Sequence, residues 1–191
     1  MPILVFILVM CSWFAFVAVF FFRKKPEKAP ERKRDRDSVL GVAIQGVAYA
    51  LVWSIHRTFF SPLLPVGRTA EVAIEIITVA IAFFSVWIVM SAVRTLGKEW
   101  SVTARLVEGH ELATRGPYRF MRHPIYTGML GMLLATGLAI SQWFSLLAAI
   151  VVFFIGTIIR VRSEERLLRE QFGAQFDDYA RRVAAMLPGV Y

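Results

Sequence analysis

The sequence predicts an all-α integral membrane protein: a helical bundle of about five transmembrane helices, the last two forming a hairpin, followed by a cytoplasmic C-terminal helix. Three observations carry this. Apolar residues make up 57% of the 191 residues and charged residues 19%, where a soluble domain is nearer half and a quarter; the mean hydropathy is +0.58. The apolar residues are gathered into four long blocks separated by dense charge. The basic residues, finally, fall almost wholly into two of the intervening segments and the tail. One cysteine, Cys11, excludes an internal disulfide, and three scattered histidines argue against a structural metal site. The net charge of +8 is assigned to membrane orientation and anionic lipid headgroups, with no nucleic-acid partner.

The first block, Ile3 to Phe22, holds Ser12 as its one clearly polar residue. It is long enough for about 30 Å of helix. Its basic residues follow the apolar core, the reverse of a cleaved signal peptide, so a permanent span is expected. The linker 23–38 mixes basic residues with Glu27, Glu31, Asp35 and Asp37 and reads as solvated. Val39 to Phe60 and Ala70 to Val93 read as spans two and three, separated by the breaker-rich turn Ser61–Gly67. Pro124 to Arg160 would make a helix of about 55 Å, too long for one crossing. A hairpin 124–160 is expected, with its turn near Gly137 or Ser141-Gln142. In the tail, Leu168, Phe172, Phe176, Tyr179, Val183 and Met186 recur at helical spacing. That apolar face would either lie on the membrane or cover a polar pocket.

Charge fixes the expected orientation. Eight basic residues lie between spans one and two, six between spans three and four, and six from Arg160 onward; only Arg57 and Arg68 remain. Five spans put the three basic segments on one face, which the positive-inside rule makes cytoplasmic, with the N-terminus outside. The chain then divides into residues 1–93, three spans with their basic linker, and residues 94–191, a core carrying the chemistry. Within the spans Gln45, Glu71 and Glu75 stand out; lying far from the cytoplasmic motifs, they are expected to be structural.

Two stretches are dense in reactive side chains. The first, Gly109 to Gly128, contains His110, Glu111, Arg115, Gly116, Pro117, Tyr118, Arg119, Arg122, His123, Pro124 and Tyr126. Gly116-Pro117 reads as a turn. Pro124 suits a first helical turn and pushes His123 out of helical geometry, leaving helix N–H groups open to a polar ligand. The second, Arg160 to Gly173, places Arg160 and Glu164 one turn apart on a helix, with Glu165 beside them; as a plain solvated helix these would be surface ion pairs. No dinucleotide fingerprint, phosphate loop, metalloprotease motif or serine elbow is present.

Together, His110-x-Leu112, Gly116-Pro117-Tyr118, Arg122-His123-Pro124-x-Tyr126-x-Gly128, Arg160, Glu164-Glu165, Phe172-Gly173 and Tyr179 resemble the isoprenylcysteine carboxyl methyltransferase family. The resemblance runs from about Gly97 to Pro188. It implies a membrane methyltransferase using S-adenosylmethionine, with a lipophilic acceptor, membrane lipids as surroundings and no metal. On this resemblance His110, Leu112, Ala113, Tyr118, His123, Pro124, Ile125, Tyr126 and Glu164 match the positions that hold the cofactor. Arg160 matches the position facing the substrate carboxylate and is the expected catalytic residue; Arg122, Glu165 and Tyr179 are expected to support it. Ala113 stands where the family often has a larger aliphatic residue. The compact tail, lacking the acidic run of eukaryotic members, looks like a prokaryotic form in an inner or plasma membrane. There the acceptor need not be a prenylated protein. A phospholipid N-methyltransferase, a sterol-reductase type of NADPH enzyme and a non-enzymatic membrane scaffold stand as alternatives. Sterol reductases carry Asn-Tyr after His-Pro, where Ile125 stands here.

The orientation is directly testable. Cysteine at Gly189, in a chain lacking Cys11, is expected to resist an impermeant thiol reagent in intact cells. Ready labelling overturns the topology.

Overall fold

A computed structural model describes residues 3–21, 31–34, 36–58, 61, 63, 67–97, 105–107 and 112–186. Six helices dominate it: α1 (Ile3–Phe21), α2 (Arg36–Ser54), α3 (Arg68–Leu96), α4 (Pro124–Ile140), α5 (Trp143–Phe172) and α6 (Ala174–Arg182). By length and composition α1, α2, α3 and α5 can each cross a membrane, and α4 is a shorter apolar helix of 17 residues. The all-α membrane bundle expected from the sequence is the architecture observed.

The distribution of side chains is that of a protein solvated by lipid. Phe14, Ile76, Phe84, Trp87, Phe144 and Val151 are exposed, while Gln45, Thr78, Ser85, Thr136, Thr157 and Arg160 are buried. Without a hydrophobic drive between helices, close backbone approach and interhelical hydrogen bonds hold such bundles together. Both occur. α2 packs along α5, and α3 along α4. At the first crossing a Cβ on Gly156 would lie 2.8 Å from the Gly41 carbonyl oxygen, so neither residue tolerates a side chain there. Trp13 Nε1 donates to Thr136 Oγ1 at 2.8 Å, and Tyr49 Oη to the Met129 carbonyl at 2.7 Å. α4 is the central helix. One side of it packs with Val9, Ala82 and Val89 of α1 and α3, the other with Val52, Ala149 and Phe153 of α2 and α5.

The hairpin turn falls at Ser141-Gln142, as the sequence allowed, although neither residue breaks helices strongly. The breaker is remote. Arg57 donates to the carbonyls of Ser141 (2.7 Å), Leu138 (2.8 Å) and Ala139 (2.8 Å), capping the C-terminus of α4. The backbones join too: Arg57 N–H donates to Ile140 O, and Gln142 N–H to Ile55 O. This pairing also corrects a boundary, since α2 ends at Ser54 where the apolar pattern ran to Phe60. Residues 55–57 leave the helix to clasp the turn.

At the other end, β1 (Glu31–Arg34) pairs antiparallel with β2 (Arg105–Val107), Lys33 opposite Leu106. The linker read as solvated therefore contains a short ribbon. Strands of four and three residues carry no alternating pattern to betray them; they pair because the helices bring both segments to one end of the bundle.

Removal of the Arg57 cap strands several carbonyls in an apolar turn, at about 1–3 kcal/mol for each group left unsatisfied. Arg57→Ala is expected to lower the thermal midpoint in detergent by many degrees. Alanine at exposed Arg68, whose partner is Glu71 at 3.0 Å, is expected to leave it near wild type.

Candidate functional site

The site forms where the loop before α4 meets the outer turns of α5 and the tail. Pro117 opens a single 3-10 turn, Gly116–Arg119. Pro124 is the first residue of α4, and His123, preceding it, has φ −125° and ψ 60°, outside the helix as its neighbour dictates. Opposite, α5 runs without a break from Trp143 to Phe172. Arg160, Glu164 and Glu165 thus occupy one rigid helix. Gly173, with φ 51°, adopts the left-handed conformation that stops it and turns the chain into α6.

Both ring nitrogens of buried His123 face carboxylates: Nδ1 lies 3.3 Å from Glu164 Oε2, and Nε2 lies 3.2 Å from Glu165 Oε1. Burial opposes a charge on this imidazole, but the hydrogen bonds to Glu164 and Glu165 outweigh it and raise the pKa above the ordinary value of 6.5. Glu165 Oε1 also accepts from Arg122 Nε at 2.8 Å. Arg122 goes on to donate to the carbonyls of Ala180 and Val183, closing the C-terminus of α6. Tyr126 Oη donates to Glu164 Oε1, and the Tyr126 ring stacks on His123, centroids 5.5 Å apart.

Arg160 sits one turn deeper, about 6 Å along the axis. Its guanidinium lies over the Tyr126 ring at 4.6 Å, with Nη2 3.9 Å from Glu164 Oε1. Arg160 is buried, so the surface-pair reading does not describe it. Nη1 donates to Gln45 Oε1 at 2.9 Å. That contact corrects one premise of the sequence reading, that Gln45 lies far from the polar motifs: the residue stands far off in the chain yet touches the cluster. Its signal was an amide inside an apolar span. Glu71 and Glu75 stay beside Arg68 at the opposite end.

The apolar face of the tail packs on the loop before α4. Phe176 and Tyr179 are buried. Tyr179 Oη donates to the Tyr118 carbonyl at 2.6 Å, and burial pushes its phenol up to about 12, so it remains a donor. Val183 leaves the helix that the spacing extended to Met186. Beyond α6, Ala184 and Ala185 accept from the N–H groups of Arg122 (2.9 Å) and His123 (2.8 Å), while Met186 accepts from Thr127 Oγ1. The helix-end N–H groups expected to await a ligand are partly used: those of Tyr126 and Thr127 return to His123 O.

Of the residues singled out from the sequence, Arg122, His123, Tyr126, Arg160, Glu164 and Glu165 are joined directly, with Tyr118 and Tyr179 bonded alongside. Pro124 is buried and starts α4, whereas Ile125 packs against the hydrophobic core of α1 and α3. Leu112 and Ala113 are half-buried in the stretch leading to Arg115. His110 lies outside the described residues. Among the described residues, no three His, Cys, Asp or Glu side chains gather as a metal site.

Comparison with known proteins adds the following. Residues 74–175 match the family model described as phospholipid methyltransferase. Protein-S-isoprenylcysteine O-methyltransferase B of Arabidopsis thaliana is 34% identical over 102 residues, 52% of each chain. A nickel-cobalt-cadmium resistance protein of Alcaligenes xylosoxydans xylosoxydans is 33% identical over 58% of this chain and 52% of its own. An uncharacterized protein of Bacillus subtilis is 25% identical over 81% of this chain and 95% of its own. The chain spans about half the length of the first two relatives.

The raised pKa of His123 has a definite sign. Its contribution is fully present below the unfolded value near 6.5 and is lost as pH rises through the higher folded value. The thermal midpoint of the protein in detergent is therefore expected to fall as pH climbs from 6 toward 9. His123→Gln should flatten that segment of the curve; an unchanged slope refutes a charged His123.

Proposed function

Because the chain belongs to the phospholipid methyltransferase family, a family of methyltransferases, we propose that it transfers a methyl group from S-adenosylmethionine to the carboxylate of a lipophilic, isoprenylcysteine-like acceptor. The observation that carries this reading is the ordering of charge along α5: a pair of carboxylates at the polar end of the bundle and a buried guanidinium one turn further in. The side chain of Glu164 is 25% exposed and that of Arg160 only 7%.

The donor set fits a cationic methyl donor. Glu164 is reachable from outside the bundle, and its charge suits an ammonium or sulfonium group. When bound, S-adenosylmethionine supplies a methyl group on an electrophilic sulfonium centre. His123, Arg122 and Tyr126 fix the two carboxylates, so the electrostatic field is set before any ligand arrives. Arg160 holds the acceptor carboxylate and orients one oxygen toward the methyl carbon. A carboxylate arrives with its lone pair free, so no residue is needed to remove a proton. The buried side of the cluster, lined by α2, α4 and α5, excludes water and suits an acceptor whose tail stays in the bilayer.

The proposal places the site on the cytoplasmic side of a prokaryotic inner membrane. Residues 94–191 form the methyltransferase core and residues 1–93 its support. The family's description favours a second reading, methylation of a phospholipid amine. That acceptor must lose a proton, and the nearby acids are already engaged by His123, Arg122 and Tyr126. Arg160 would also repel the ammonium form.

Two alanine variants separate the roles. Glu164→Ala is expected to weaken S-adenosylmethionine binding by about 2 kcal/mol in calorimetry, the scale of a lost charged hydrogen bond. Arg160→Ala should leave that binding nearly intact and abolish transfer of radiolabel to an S-farnesylcysteine acceptor. Lysine at 160 should rescue only in part, lacking the two-pronged grip. Equal, modest losses in both assays for both variants overturn the assignment; labelling of phosphatidylethanolamine instead favours the amine reading.

A further inference from the structure

We infer that Gln45 is a positioning and specificity-determining residue: it holds Arg160 through a neutral amide, fixing the guanidinium without adding a negative charge that would oppose an anionic acceptor. This rests on the methyltransferase reading above and extends it to a helix outside the motif-bearing half of the chain.

The contact is a built one. Gln45 is 2% exposed and Thr157 1%. Arginine can only donate, so the amide must turn its oxygen toward Arg160; the 2.9 Å bond from Nη1 is that contact. The amide nitrogen then faces α5 again and donates to Thr157 Oγ1 at 2.8 Å. Thr157 and Arg160 stand three residues apart on one helix, so Gln45 grips α5 at two points and has no freedom to flip. Room for this exists because α2 and α5 meet through glycine. A Cβ at Gly41 would fall 2.4 Å from Arg160 Cγ, and one at Gly156 would fall 3.0 Å from Gln45 Cγ.

The choice of an amide is informative. A glutamate here would have the same length and would accept a shorter, stronger bond from the guanidinium. Hydrogen bonding alone therefore does not select glutamine. The difference is charge: a carboxylate 2.9 Å from Arg160 would offset its charge and repel an incoming acid, whereas the amide fixes the geometry and adds no negative charge there. This is specificity by leaving out a competitor. The Glu164 carboxylate, one turn along α5, stands 3.9 Å from Arg160 and shares its oxygens with Tyr126 and His123.

The experiment compares wild type with Gln45→Glu on two probes, S-farnesylcysteine with a free carboxylate and its methyl ester, an uncharged competitor. S-adenosylmethionine binding is measured alongside. The substitution is expected to raise the KM for the acid at least about tenfold, the cost of opposing like charges at close range. Inhibition by the ester and binding of S-adenosylmethionine should stay unchanged. Thr157→Val should also raise the KM, by freeing the amide to flip, and Thr157→Ser should restore it; this pair decides the matter if Gln45→Glu does not fold. A KM for the acid within twofold of wild type, or equal weakening of acid and ester, overturns the inference alone. Wild-type protein that neither binds S-adenosylmethionine nor methylates the acid overturns the functional reading and this inference with it.

Discussion

The two adjacent carboxylates of α5 hold the working end of this molecule together. Glu165 draws in Arg122 and His123, and Glu164 takes the other nitrogen of the same imidazole together with the Tyr126 hydroxyl. Through Arg122 the contact reaches the end of α6, and through the backbone of residues 122 and 123 it reaches the chain beyond. Three segments, the loop before α4, the end of α5 and the tail, thus meet on two acids. Partly buried charges are costly unless paired on every side. That cost makes the arrangement demanding: each member needs the others in place.

The membrane imposes a second constraint, visible at the far end. Lipid offers backbone carbonyls no partner, so a tight turn between α4 and α5 must find its donors within the protein. Arg57 supplies them. Arg57, buried, and Arg122, half-buried, do the same job at opposite ends, each closing the C-terminus of a helix to which it does not belong. Between them the bundle relies on small residues and single polar bonds, because apolar side chains gain nothing by leaving lipid for one another.

Charge graded by depth links fold to chemistry. The proposed cationic donor and anionic acceptor call for partners of opposite charge, and a single unbroken helix can present both, provided the acids lie toward water and the base toward lipid. α5 has this order. The aromatic ring of Tyr126 stands between the two levels, accepting the guanidinium on its face while its hydroxyl serves Glu164. The geometry thereby couples the two levels of charge through one side chain on the central helix.

By itself the sequence determined the solvent, the helical class, the approximate spans and the polar residues of α4 and α5 that meet. Those follow from local signals: runs of apolar residues, one-sided charge, a proline that starts a helix and an arginine-acid spacing of one turn. It even bracketed the hairpin turn at Ser141-Gln142. What it left open was every feature made by partners distant in the chain. Gln45 touches Arg160 across 115 positions, and Arg57 makes the α4–α5 turn from more than eighty residues away. The ribbon of β1 and β2 exists only because both segments are carried to one end of the bundle. The tail's apolar face had two destinations of equal local merit, the membrane or a polar pocket, and it packs on the loop before α4. Tertiary structure decided among these, since a hydrogen bond between helices is fixed by where the helices pack, and that depends on the shape of all of them at once.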